Sequence, residues 1–78
     1  MASLAEGSTG TQVKRLQEVL NHIGPPPSLK VDGIFGAKTK ARVVAVQQKF
    51  GLKTDGIVGP VTSRALVSTV LGPNLRLK

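Results

Sequence analysis

The sequence has no cysteine, no tryptophan and no tyrosine, two phenylalanines, four acidic residues and one histidine. Each scarcity closes off a class of chemistry. Without thiols there is no disulfide staple, no thiolate catalysis, no iron–sulfur ligation and no thiolate zinc site, although cysteine usage alone does not assign the redox compartment. With Phe35 and Phe50 as the whole aromatic complement, stacking on bases or sugar rings has little to work with. His22, Glu6, Glu18, Asp32 and Asp55 fall at no metal-ligand or catalytic spacing. They supply neither a metal set nor the base and orienting acid that Ser8, Ser28, Ser63 or Ser68 would need as nucleophiles. No cofactor is implied. No apolar run approaches the roughly 20 residues of a membrane span. Met1 to Glu6 shows neither a charged n-region nor an apolar h-region, so the expectation is a soluble chain without an export signal of its own.

What is present is a strongly basic composition. Eleven Lys and Arg against four Asp and Glu give a formal charge of +7, which points to an anionic partner if the partner is charged. The basic residues are spread from Lys14 to Lys78 with no run of five or more, so no blunt basic tail carries the charge. Seventy-eight residues suit a single domain whose core must come from helix packing alone.

The chain is organised by an internal repeat. Asp32-Gly33-Ile34-Phe35-Gly36-Ala37-Lys38-Thr39 returns 23 positions later as Asp55-Gly56-Ile57-Val58-Gly59-Pro60-Val61-Thr62. Asp-Gly opens a turn because the short carboxylate accepts bonds from its own downstream backbone and glycine takes positive φ without a Cβ clash. The second glycine, followed by Ala37 or by Pro60 at a first helical position, marks a helix start. Each copy thus reads as turn, inward apolar residue, glycine, helix.

Around these turns the periodicity predicts three helices. Thr9 with Gln12 fits a capping box, and Val13, Leu16, Leu20 and Ile23 share a helix face. Gly24 is placed for a left-handed cap before Pro25-Pro26-Pro27. Leu29 and Val31 alternate with polar neighbours in a short strand-like piece. A second helix is predicted from Ala37 to Phe50, with Thr39, Val43, Val46, Gln47 and Phe50 on one face and Gly51 as its stop. A third is predicted from Pro60 to Leu71, with Ala65, Leu66, Val70 and Leu71 inward. The expected architecture is all-α, a small three-helix bundle with two Asp-Gly-x-x-Gly loop-helix repeats. Residues 1–8 are a lead-in, 9–71 the domain, and 72–78 a tail or the start of a linker.

Asp32 and Asp55 are expected to hold their own turns. Gln17 and Gln47 lie beside the apolar stripes, where burial would oblige them to hydrogen-bond, and are expected to cross-link helix to Asp-Gly loop. His22 falls on the last turn of the first helix, where a cation is favoured.

The chain resembles the helical peptidoglycan-binding domain found beside the catalytic domains of bacterial and phage cell-wall lytic enzymes. The resemblance runs from Leu4 to Leu71 and rests on Gly10-Thr11-Gln12-Val13-Lys14-Arg15-Leu16-Gln17, Val31 to Gly36, Thr39, Val43 to Gln47, Gly51-Leu52, Thr54 to Pro60, Thr62 and Ala65-Leu66. It implies a monomeric, non-catalytic module that binds the glycan and stem peptide of peptidoglycan and tethers an attached hydrolase. It also implies an extracellular, wall or periplasmic setting, of bacterial or phage origin, within a longer protein. The site expected on that basis is a shallow groove between the second and third helices, rimmed by the loops. Asp32, Phe35, Gly36, Lys38, Thr39, Arg42, Asp55, Ile57, Gly59, Thr62 and Arg64 are its candidate contacts. Many members of the family carry an aromatic and a tryptophan where this chain has Val46 and Ser63, which shifts the expectation toward stem-peptide and charge recognition. The alternatives are a protein-interaction module on the same fold and a basic nucleic-acid-binding domain. Against the latter, connections of about thirteen and nine residues are longer than the turn of roughly three or four residues in a helix-turn-helix.

Overall fold

Val13, Leu16 and Leu20 recur at helical spacing, and the segment that carries them forms α1, Thr11–Ile23. The structure, a computed structural model, describes residues 3–24 and 27–71, and of 69–71 the backbone alone. The predicted capping box at Thr9 does not form. Gly10 is the N-cap at φ 117°, no side chain caps the helix, and Thr9 pairs with Ile34 in an isolated antiparallel bridge. Gly10 donates its N–H to the Gly33 carbonyl at 2.9 Å, while its own carbonyl receives Val13 and Lys14. A distant turn thus takes up the N–H of the N-cap residue, and only glycine meets that φ without strain.

α1 ends where expected, but Gly24 is extended (φ −103°, ψ 165°) and not left-handed. Its glycine is needed for space: a Cβ there would lie 2.7 Å from Arg42 Nη1 and 2.9 Å from the Leu20 carbonyl. The Ser28–Val31 piece does not pair as a strand. It is tied to α1 by Asn21, whose amide donates to Leu29 O at 2.9 Å and accepts Leu29 N–H at 2.6 Å.

α2 spans Ala37–Lys49 and α3 spans Pro60–Leu71. Gly51 stops α2 in the left-handed region (φ 70°), and Leu52 N–H reaches back to Gln47 O at 2.7 Å, the bond pattern that satisfies a helix's last carbonyls. Phe50 is the cap residue rather than a helical one, and so it stays 39% exposed instead of facing the core. The side chains of Val70 and Leu71, expected inward, and the tail from Gly72 lie outside what the structure describes.

α1 is the central helix, packing against both α2 and α3. The core is Val13, Leu16, Leu20, Phe35, Val43, Val58 and Leu66, with Leu4, Val19, Ile23, Leu29 and Val46 packed on it. Phe35 and Val58 are the third residues after Asp in the two repeats. Each turn therefore contributes one inward anchor, and at about 1.5–3 kcal/mol per fully buried large side chain these anchors hold the turns to the helices.

Candidate functional site

The two turns are built the same way from the same residue types. In the first, Gln17 of α1 is buried, and its Nε2 donates to Asp32 Oδ1 (3.1 Å), Ile34 O (3.0 Å) and Thr39 Oγ1 (3.2 Å). Its Oε1 accepts the Gly33 N–H at 3.0 Å. In the second, Gln47 of α2 donates to Asp55 Oδ1 (3.0 Å), Ile57 O (3.1 Å) and Thr62 Oγ1 (3.1 Å) and accepts Gly56 N–H at 3.0 Å. One buried amide thus satisfies a helix-start threonine, a turn carbonyl, a turn amide and a carboxylate. Since Nε2 carries two protons, one of its three bonds is shared.

Each aspartate also accepts the backbone N–H two residues on, Ile34 at 2.9 Å and Ile57 at 3.0 Å. These bonds favour the ionised form. The Ile34 N–H, followed by the Gln17 amide, holds the Asp32 carboxyl below its ordinary range, and the Ile57 N–H does the same for Asp55, with Gln47 adding to it. All these bonds use Oδ1. Both aspartates are exposed.

Beside the carboxylates the turns present aliphatic tips. Ile34 is 56% and Ile57 42% exposed, and Val61 at the start of α3 is 65% exposed. Sequence reading missed Ile34 and Val61 as surface, because the residue after Asp-Gly and the second residue of a helix carry no periodic signal of their own. Gly33 and Gly56 take φ 77° and 72°. A lysine stem covers each: a Cβ on Gly33 would lie 3.2 Å from Lys14 Cγ, and one on Gly56 2.9 Å from Lys40 Cε.

The candidate contacts separate into two groups. Asp32, Lys38, Asp55, Ile57 and Arg64 are exposed. Phe35, Thr39 and Thr62 are buried: Phe35 is 1% exposed and fills the core, and the threonines accept from the glutamines. Arg42 is half-buried and donates from Nη2 to the Pro27 carbonyl, so it braces the segment after the prolines. Gly36 and Gly59 are half-buried, and Gly36 gives its N–H to Ile34 O at 3.1 Å. An apolar cleft of about 120 Å³ lies between α1 and α2, lined by Leu20, Ile23, Val46 and Phe50 among others. Among the described residues no three His, Asp or Glu converge to hold a metal, and no helix is long and apolar enough to cross a membrane.

Comparison with known proteins converges on one family. Residues 9–66 match the family described as putative peptidoglycan binding domain. The chain is 46% identical over 61 residues to a zinc D-Ala-D-Ala carboxypeptidase of Streptomyces albus G, covering 77% of this chain and 24% of that enzyme. It is 44% identical over 64 residues to a probable N-acetylmuramoyl-L-alanine amidase of Bacillus licheniformis, covering 81% and 18%. Among solved structures it superposes on the SleB N-terminal domain with a TM-score of 0.81 at 37% identity, covering 87% of this chain and 92% of that one. The Burkholderia AP3 phage endolysin gives the same TM-score at 36% identity, covering 88% and 26%. The chain spans about a quarter or less of the length of the two enzymes it matches. With its duplicated Asp-Gly turns, three helices and a family match over most of its length, the chain belongs to the peptidoglycan-binding domain family.

Proposed function

We propose that this chain is a non-catalytic module that binds peptidoglycan through the exposed face of its two turns and holds an attached lytic enzyme at the wall. The observation that carries the reading is the duplicated turn itself. A buried glutamine ties down each one, and each leaves the same groups outside: an isoleucine, an aspartate and nearby cations. Such a surface suits stem peptides. Methyl side chains meet Ile34, Ile57 and Val61, free carboxylates meet Lys38 and Arg64, and peptide N–H groups meet the two aspartates.

Catalysis is not what these carboxylates are arranged for. Hydrogen bonds hold both ionised with lowered pKa, which makes each a poor proton donor near neutral pH. Tethering instead raises the local concentration of whatever the module is joined to. We place the module outside the cytoplasm, as a monomer within a longer bacterial or phage protein. Titrating the labelled chain with soluble muropeptides tests the site. Amide shifts should concentrate at Ile34, Lys38, Ile57, Val61 and Arg64, and the Lys38→Ala, Arg64→Ala double variant should weaken binding about three- to tenfold. Shifts confined to the α1–α2 cleft, or unaltered affinity in the double variant, would remove the turns from the site.

A further inference from the structure

The family match begins at residue 9, yet the residues before it are bonded to both turns. Leu4 exchanges two backbone bonds with Val58 of the second turn, Leu4 N–H to Val58 O at 3.1 Å and Val58 N–H to Leu4 O at 2.7 Å. Three and four residues on, the same segment reaches the first turn: Gly7 N–H donates to Phe35 O and Phe35 N–H to Ser8 O, both at 2.9 Å. Gly10 N–H then donates to Gly33 O. Phe35 and Val58 hold equivalent places in the two repeats, so one short segment clips the equivalent residue of each turn.

Further contacts fasten this segment in place. Within it, Ala5 N–H donates to Ser8 Oγ at 3.1 Å. Glu6 Oε1 lies 3.8 Å from Lys40 Nζ, and the stem of that same lysine covers Gly56. Ser3 Oγ would lie 3.6 Å from a Cβ on Gly59. Leu4 packs on the core.

We infer that residues 3–10 are a strap that couples the two Asp-Gly turns, so that the state of one turn is felt at the other and the exposed groups of both are presented at a fixed separation. Four residues of chain from Leu4 to Ser8 span about 14 Å at most, which limits how far the clipped backbones can part. Without the strap, each turn would be held only by its own glutamine and its own apolar anchor, and the two glutamines sit on different helices. Residues 3–10 are therefore positioning residues for the surface proposed above. The coupling between turns can be measured whether or not that surface binds the wall.

Amide hydrogen exchange on the full chain gives the test, because it reads each opening separately. Leu4→Pro removes the donor to Val58 O and a side chain packed on the core, so exchange at Val58 N–H, whose acceptor is Leu4 O, should rise about tenfold beyond any change shared with amides in the middle of α1. Gly7→Ala provides a variant that spares the core. Gly7 sits at φ 101° with nothing within 4 Å of an added Cβ, so alanine strains only the strap backbone. It should speed exchange at both Phe35 and Val58. In the wild-type background Asp32→Asn, which perturbs the first turn, should also raise exchange at Val58; with Gly7→Ala present that cross-effect should shrink. The inference is overturned if Val58 keeps its protection in both strap variants, or if the effect of Asp32→Asn on the second turn is the same with and without an intact strap. Wall sedimentation of the same variants reports separately on binding. Normal exchange coupling with no sedimentation would sink the wall reading and leave the strap standing.

Discussion

Replacing Gln47 by leucine tests the buried glutamine where it matters most. Gln47 is 1% exposed, and leucine keeps most of its volume while removing every bond its side chain makes. Gly56 N–H and Thr62 Oγ1 lose their partner inside the protein, whereas Ile57 O and the Asp55 carboxylate are near enough to solvent to recover one. At about 1–3 kcal/mol for each buried polar group left unsatisfied, the two stranded groups cost about 2–6 kcal/mol. A domain of this length has a total stability of about 4–12 kcal/mol. The loss therefore takes a large share of it and lowers Tm by at least about 10 °C. Thermal and urea unfolding followed by circular dichroism measure it directly. Gln17→Leu should cost the same within about 1 kcal/mol, since its bonds match in kind and length. Gln47→Glu at neutral pH should fare no better than leucine, because an acceptor-only carboxylate faces Asp55 Oδ1 and Ile57 O with no proton to give. A Gln47→Leu protein that melts within about 3 °C of the parent would show that the glutamine network does not hold the turn.

Other expectations follow from the same geometry. Alanine at Gly33 should destabilise more than at Gly56: both incur the strain of positive φ, about 1–2 kcal/mol, but the Gly33 Cβ also meets the Gly10 backbone carbonyl at 3.2 Å, while at Gly56 the obstacle is the stem of Lys40, a side chain that can move aside. Paired urea titrations would show the order, and equal or reversed losses would contradict it. Phe35→Ala should cost about 3–5 kcal/mol as a fully buried aromatic and Phe50→Ala less than half of that, measured the same way. Acid should weaken the fold through the two aspartates. Their folded-state pKa values are lowered, so the stability they contribute is complete above the unfolded carboxylate value near pH 4 and is lost as pH falls through the lower folded values. Tm should hold between pH 7 and 5 and fall below about pH 4, and Asp32→Asn with Asp55→Asn should flatten that fall.

The helices were legible because their signals are local. Val13, Leu16 and Leu20 fall on one face, Pro60 and Gly51 punctuate, and the repeat named the two turns. The glutamines were legible for a different reason: a polar residue inside an apolar stripe must find partners, and the repeated Gln-to-Asp-Gly order says where. What the sequence hid was pairing at a distance. Nothing near Gly10 announces that its N–H goes to Gly33, so Thr9 reads as a cap when it is a bridge residue. Gly24 reads as a left-handed cap when the glycine makes room for Arg42, a residue eighteen positions away. The segment up to Ser8 reads as a lead-in because Leu4-Ala5-Glu6-Gly7-Ser8 has no periodicity. Its bonds are backbone bonds, which leave no mark on residue type. Among the candidate contacts, Phe35, Thr39 and Thr62 were attractive for being part of the repeated motif, and they are part of it because they build the turn from inside.

The measurement that bears most directly on wall recognition is sedimentation of the isolated domain with purified wall sacs, at low and high salt and before and after the accessory wall polymers are stripped. A chain of charge +7 will associate with any polyanion at low salt, and such binding fades as salt rises. Recognition by the turns should instead persist at high salt on stripped sacs, and weaken in the Lys38→Ala, Arg64→Ala double variant. Retention that disappears with salt or with stripping would mean that charge alone brings the chain to the wall, and would leave the exposed isoleucines and Val61 as a surface for a protein partner.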